Sequence, residues 1–139
     1  MKRNTLAVRK DPAILRGQLR AWLDLDDLTE RSRPPELQSQ ALLSLLARMV
    51  IGRLMAAKYF NAKAESLVDD GAVIVRNLIG KFNHFGPREL SPAERLIIRD
   101  GLDCVDEMIL STTPSERRSI ASLSQQVMLR EYQLLQPNL

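Results

Sequence analysis

Apolar residues recur along this chain at the three-and-four spacing of helices, and their longest run predicts a central helix at about residues 35–60. Four residues interrupt the apolar run: Ser44, Arg48, Gly52 and Arg53. The first three are spaced four residues apart and therefore form one narrow stripe on a helix. The pattern predicts a helix covered on nearly every other side, either in a monomeric bundle or at the seam of a dimer.

The central run also approaches the length of a membrane span. A span requires about 20 predominantly apolar residues, whereas about 17 are available here. Arg48 and Arg53 lie within them, where a membrane makes a cation costly. We therefore expect a core helix and no membrane partner.

A second apolar pattern predicts the first helix. Asp11-Pro12 supplies a capping side chain and a first-turn proline, and we expect the helix to end between Leu23 and Leu28. Its predicted core-facing residues are Ile14, Leu15, Leu19, Trp22 and Leu23. Four acidic residues lie near its predicted end: Asp24, Asp26, Asp27 and Glu30. Because the helix dipole disfavours carboxylates at a C-terminus, we interpret them as a solvated loop.

The third helix is predicted at 62–85 and ends at the glycine stop Gly86-Pro87. Its apolar register continues that of the central helix, so a single rod of about fifty residues is the alternative to two helices. We favour a turn near Asn61, because Asn61 suits a helix N-cap and such a rod is rare in a small domain. A rod would require a dimer to cover both of its ends.

Two similar motifs predict the starts of the last two helices. Ser91-Pro92-Ala93-Glu94 and Thr113-Pro114-Ser115-Glu116 each combine a hydroxyl cap, a first-turn proline and a third-position glutamate. The expected core residues are Ile97, Ile98, Leu102, Val105 and Ile109 in the fourth helix, and Ile120, Leu123, Val127 and Leu134 in the fifth, with Met128 and Leu135 assisting. We predict an all-α bundle of four to five helices at 11–135, preceded by a flexible basic arm at 1–10 and followed by a tail at 136–139.

Composition and charge are those of an ordinary helical domain. The 139 residues are 45% hydrophobic and only 4% aromatic, which suits helix packing better than a β-sandwich. A net charge of +3 permits contact with nucleic acid without arguing for it. The N-terminal residues lack an apolar run of signal-peptide length, so we expect a cytoplasmic protein.

The sequence carries no catalytic, metal-binding or cofactor-binding motif. His84 is the only histidine, and Cys104 is flanked by acids that would raise its thiol pKa. The acids Asp100, Asp103 and Glu107 share a helix face, but no matching Glu-x-x-His motif exists. We therefore predict a protein that is not an enzyme, with no cofactor and no small-molecule substrate.

Surplus apolar surface on the second and third helices predicts a protein-interaction module. We expect a small bacterial regulator or adaptor that acts through self-association, as a dimer, or through a protein partner. The predicted interface residues are Leu43, Leu46, Val50, Leu54, Phe82 and Phe85.

The alternative is a helical DNA-binding transcriptional regulator that uses the fifth helix, 114–135, and the basic arm. The candidate contact residues are Lys2, Arg3, Arg9 and Lys10 in the arm, and Arg117, Arg118, Gln125 and Gln126 in the helix. Two features weaken this alternative. The usual turn glycine is missing, and Glu116 would face the phosphates.

Overall fold

A computed structural model describes residues 11–29, 35–86 and 89–135. Within these ranges the chain forms five α-helices and no strand. They are α1 (Pro12–Thr29), α2 (Pro35–Tyr59), α3 (Ala62–Phe85), α4 (Pro92–Leu110) and α5 (Pro114–Leu135). The prediction of an all-α bundle is confirmed. The predicted arm at 1–10 and tail at 136–139 lie outside the described residues.

Helix α2 occupies the centre of the bundle, because each of the other four helices packs against it. Between Ala41 and Ala56 only Ser44 is exposed. Five of its residues have no exposed surface at all: Leu45, Leu46, Met49, Val50 and Ala56. The prediction of a buried central helix is therefore confirmed.

By length and composition, the part of α2 from Glu36 to Tyr59 also satisfies the requirement for a membrane span, and it is the one helix among the described residues that does. Core helices of bundles satisfy the same requirement. In this structure the apolar residues of α2 form one hydrophobic core with residues of α1, α3, α4 and α5.

The chain turns between α2 and α3 at Phe60 and Asn61. Asn61 has an extended backbone, with φ −148° and ψ 169°, and its side chain accepts a hydrogen bond from the Ala64 N–H at 2.9 Å. This N-cap starts α3 as predicted. Helix α3 then runs antiparallel to α2, so that Met49 faces Gly71. The structure thus has two helices and not one long rod.

Both predicted capping boxes are present. The Ser91 hydroxyl accepts from the Glu94 N–H at 3.2 Å, and the Glu94 carboxylate accepts from the Ser91 N–H at 3.0 Å. In the second box, the Thr113 hydroxyl accepts from the Glu116 N–H at 3.1 Å, and the Glu116 carboxylate accepts from the Thr113 N–H at 2.8 Å. At the end of α3, Gly86 has a φ of 81° and closes the helix with its backbone N–H. The glycine stop is therefore confirmed as well.

The face of α1 that enters the core differs from the predicted one. The buried residues are Ala21, Asp24, Leu25 and Leu28, while Ile14 and Trp22 are half-buried. The predicted core residues Leu15, Leu19 and Leu23 are exposed. The predicted acidic loop is also wrong as far as Thr29, because α1 continues through Asp24, Asp26 and Asp27. Both residue sets fit helical spacing, and the small side chains at Gly17 and Ala21 favour the observed face because they allow α1 to approach α2 closely.

Helices α4 and α5 bury most of the residues predicted for them. Ile98, Leu102, Val105, Ile109, Ile120 and Met128 are buried, and Val127 is half-buried. Ile97 and Leu123 are instead exposed. The side chains of Leu134 and Leu135, which were also predicted for the core, lie outside the described residues. Ile97 is adjacent to Ile98, and neighbours on a helix diverge by about 100°. On this outer helix Ile98 takes the inward position, and Ile97 is left at the edge of the contact. Ser124 takes the buried position beside Leu123, where its hydroxyl donates to the Ala121 carbonyl at 2.8 Å.

Glycines at the helix contacts allow α2, α3 and α4 to approach closely around Met49. The Met49 thioether fits between Gly71 and Gly101, where an added Cβ would lie 3.0–3.3 Å from its Sδ and Cε atoms. At Gly52, an added Cβ would lie 2.3 Å from a Val105 methyl carbon. The predicted solvent stripe on α2 is thus wrong at Gly52, which is buried against α4.

We expect Gly52→Ala to destabilise the fold by about 1–3 kcal/mol, because overlap with Val105 outweighs the gain of about 1 kcal/mol that alanine brings to a helix interior. Gly80→Ala is the matched control, since no heavy atom lies within 4 Å of its Cβ position. It should raise stability by about 0.5–1 kcal/mol. Urea unfolding followed by circular dichroism measures both. A neutral or stabilising Gly52→Ala would contradict the close packing, and Val105→Ala should partly rescue it.

Candidate protein-interaction surface

The outer face of α1 carries three leucines that remain largely uncovered by the described residues. Leu15, Leu19 and Leu23 are 46%, 60% and 44% exposed. They are spaced four residues apart and lie along one side of the helix, and we call them the leucine row. Single exposed leucines are common, but a continuous apolar strip on one element is typical of an interaction surface.

The two ends of α1 carry acids. At its start, the Asp11 carboxylate accepts a hydrogen bond from the Ala13 N–H at 2.9 Å, which the helix dipole favours. Arg16 and Arg20 follow in the N-terminal half, and the acids Asp24, Asp26 and Asp27 lie in the C-terminal half. Arg20 pairs with Asp24 at 2.7 Å and lies 3.6 Å from Asp27. Asp26 approaches Arg95 of α4 at 3.6 Å, although both side chains are exposed. Arg16 has no ion pair with any described residue.

A small polar cleft of about 200 Å³ lies between α1 and α2. It is lined by Arg20, Asp24, Asp27, Leu37, Gln40, Ala41 and Ser44. The Asp24 side chain is only 4% exposed, and its Oδ1 accepts from the Arg20 Nε at 2.9 Å while its buried Oδ2 has no hydrogen-bond partner. No group of three or more His, Cys, Asp or Glu side chains within the described ranges could hold a metal ion. The observed polar feature of the cleft is the ion pair between Arg20 and Asp24.

Three helices are joined by polar contacts to Asp106 of α4. Its Oδ1 lies 2.8 Å from the Arg48 Nη2 of α2, and its Oδ2 accepts from the Trp22 Nε1 of α1 at 3.4 Å. The Arg48 and Asp106 side chains are only 17% and 21% exposed. The predicted solvent stripe on α2 is also wrong at Arg48, which extends toward α4. The sequence does contain a signal for this contact, because a cation within a long apolar run needs a carboxylate partner.

We expect Asp106→Ala to lower the free energy of unfolding by about 2–3 kcal/mol, because it leaves the mostly buried Arg48 cation without its partner. Partial exposure of both side chains keeps this loss below that for a fully buried pair. The double variant Arg48→Met with Asp106→Leu removes both charges and should recover most of that loss. Chemical unfolding of the single and double variants measures the coupling. Equal destabilisation by the single and double variants would show that the charge pair is not the cause.

The residues predicted as an interface do not form one surface. Leu46 and Val50 lie inside the bundle with no exposed area, so they are unavailable to a partner while the chain is folded. Leu43, Leu54 and Phe82 are half-buried and pack against the core. Phe85 is 72% exposed at the end of α3. The surrounding helices cover α2 between Ala41 and Ala56 apart from Ser44, and the row of exposed leucines described above lies on α1.

The residues predicted to contact DNA have different surroundings. Lys2, Arg3, Arg9 and Lys10 lie outside the described residues. Arg117 donates to the Thr112 carbonyl at 2.7 Å and so closes the connection after α4, while Arg118, Gln125 and Gln126 are exposed. Glu116 accepts a hydrogen bond from the Thr113 N–H, as the predicted capping box requires. Helices α4 and α5 make few contacts with each other, which differs from a packed helix-turn-helix pair.

The side chains with potential for catalysis remain separate features. His84 is exposed near the end of α3, and Cys104 is half-buried with its Sγ 3.9 Å from the Ala64 carbonyl oxygen. Burial raises the pKa of the Cys104 thiol, and the charge of Glu107 raises this pKa further. A raised pKa lowers the thiolate fraction, so Cys104 is a poor nucleophile at neutral pH. Asp103 and Glu107 are exposed.

Comparison with known proteins gives no family for this chain. No protein-family model, no curated protein and no solved structure matches it. The leucine row and the charges beside it are features of the described surface that bear on function.

Proposed function

We propose that this protein is a non-enzymatic helical interaction module, a small regulator or adaptor that binds a protein through the leucine row of α1. The observation that carries the proposal is the exposure of Leu15, Leu19 and Leu23 along one helix face. The α2 core is already enclosed without them.

The size of the exposed strip fits a modest but useful binding energy. Burying a leucine completely contributes about 1.5–3 kcal/mol, so covering three half-exposed leucines contributes roughly 2–4 kcal/mol before the costs of association. The charged residues on α1 would then orient the partner and exclude mismatched ones. This combination supports a reversible contact.

The spacing of the row also favours one type of partner. Residues four apart on a helix are the anchors by which helices pair with each other or lie in an apolar groove. The partner should therefore present an amphipathic helix or a groove lined by aliphatic side chains.

We expect a photoreactive benzoylphenylalanine in place of Leu19 to form a covalent adduct with a protein in the cells that naturally produce this chain. The adduct arises because a bound partner covers the leucine row. The same substitution at Lys81, an exposed residue of α3, is the control and should give little adduct. Mass spectrometry identifies the linked chain, whether a second copy or another protein. If adducts form only at the background level at both positions, the result argues against the proposal.

A specific observation also favours a second candidate, binding of nucleic acid by α5. None of the exposed, described side chains of α5 is acidic; its basic and amide residues there are Arg118, Gln125, Gln126, Arg130 and Gln133. Glu131 faces inward, where its carboxylate accepts two hydrogen bonds from Arg76 at 2.6 Å and 3.1 Å. The hydrogen bond to Glu131 raises the pKa of Arg76. The outer face of α5 therefore supports contact with phosphates and base edges.

If α5 binds DNA, the full chain should retard duplex DNA in a gel at low salt, and the double variant Arg118→Ala, Arg130→Ala should weaken this binding. The negative slope of log affinity against log salt concentration should become shallower by about 2, because two phosphate contacts are lost. The matched control is Arg95→Ala with Arg99→Ala, which removes two exposed cations from α4. Absence of retardation by the unaltered chain at low salt would exclude this second candidate.

A further inference from the structure

We infer that α1 is a detachable strap, which leaves the bundle as a unit while α2, α3, α4 and α5 stay folded. The inference goes beyond the proposed function, because it does not depend on what binds the leucine row. Two observations carry it: buried polar atoms without partners at the contact of α1 with the bundle, and core contacts to which α1 does not contribute.

Both buried side-chain atoms that lack a hydrogen-bond partner among the described residues lie where α1 meets the bundle. One is the Oδ2 of Asp24, and the other is the Nε of Arg48. Asp24 is on α1 itself and borders the cleft between α1 and α2. The guanidinium of Arg48 lies against α1, because its Nη1 is 3.3 Å from the position that a Cβ on Gly17 would take.

These two atoms make the docking of α1 costly. Both are buried, so water does not reach either of them while α1 is docked. A buried polar atom without a partner has lost the hydrogen bonds that water gives it, and this disfavours the docked helix by roughly tenfold per atom. Release of α1 hydrates both atoms.

The direct polar contacts between α1 and α4 are long. The Trp22 Nε1 lies 3.4 Å from the Asp106 Oδ2, beyond the usual range of about 2.7–3.2 Å for such a hydrogen bond. Asp26 lies 3.6 Å from Arg95, and both side chains are more than half exposed. Exposed ion pairs add little stability. These contacts therefore hold α1 weakly.

Several close contacts among the other four helices do not involve α1. Met49 of α2 fits between glycines of α3 and α4, and Gly52 of α2 meets Val105 of α4. Arg76 of α3 makes two hydrogen bonds to Glu131 of α5, at 2.6 Å and 3.1 Å. All of these contacts persist when α1 leaves.

Apolar burial keeps α1 docked in most molecules. Its inner face contributes Ala21, Leu25 and Leu28 to the core. An isolated helix of this length is marginal in water, so the released segment loses its helical hydrogen bonds. Release also uncovers Arg48 and the α2 surface around Ala41. Any molecule that binds this surface or the free segment raises the released population.

Native-state hydrogen exchange of the full chain tests the inference. After correction for intrinsic rates, we expect the amides of residues 16–29 in α1 to exchange at least about tenfold faster than those of residues 45–50 in α2. Their exchange should also depend less on urea, because opening one helix exposes less surface than global unfolding does. Equal exchange and equal urea dependence in the two helices would show that α1 opens only with the whole bundle, which overturns the inference.

A core substitution far from α1 distinguishes release of one helix from general instability. Val68 of α3 is fully buried and packs against Gly52, so Val68→Ala destabilises the docked and the released forms alike. It should speed exchange of the α2 amides by about tenfold and leave the α1 amides within about twofold. The same acceleration in both helices would contradict the strap. If Val68→Ala does not fold, the urea dependence of the unaltered chain decides.

Asp24→Leu tests whether the buried carboxylate opposes docking. The cleft of about 200 Å³ beside Asp24 gives the larger side chain room, and Arg20 is 56% exposed, so it is not left buried without a partner. We expect exchange of the α1 amides to slow by about fivefold. Asp103→Leu, which removes the same charge from the exposed side of α4, is the matched control and should leave exchange of α1 within about twofold. Unchanged or faster exchange of α1 in Asp24→Leu would overturn the inference.

Discussion

The close approach of three helices around Met49 is the contact on which the rest of the structure depends. Gly71 and Gly101 leave room for its thioether, and Gly52 lets α2 contact Val105 of α4. Without a Cβ at these positions, the backbones of α3 and α4 come near enough for a small core to exclude water around α2. Interiors are packed to nearly crystalline density, so this arrangement tolerates little added volume.

Polar contacts across the bundle then fix how the outer helices lie on this core. Arg48 pairs with Asp106, and Arg76 makes two hydrogen bonds to Glu131, which links α3 to α5. Paired charges of this kind add little net stability, but an unpaired buried charge is costly, so they penalise other arrangements of the helices. The apolar core thus accounts for compactness, while the ion pairs help to select one arrangement of α1, α4 and α5.

Local chemistry explains which features could be predicted from the sequence. The Ser91 and Thr113 capping boxes, the Asn61 cap and the Gly86 stop each depend on a few adjacent residues, and all are present. The orientation of α1 depends on its neighbours instead. Its leucine set and its Ala21, Leu25 and Leu28 set both fit helical spacing, and only packing against α2 distinguishes them. The burial of Gly52 could not be predicted for the same reason. A glycine that shares a helix stripe with polar residues suggests solvent exposure, and only the packing of α4 against it shows otherwise.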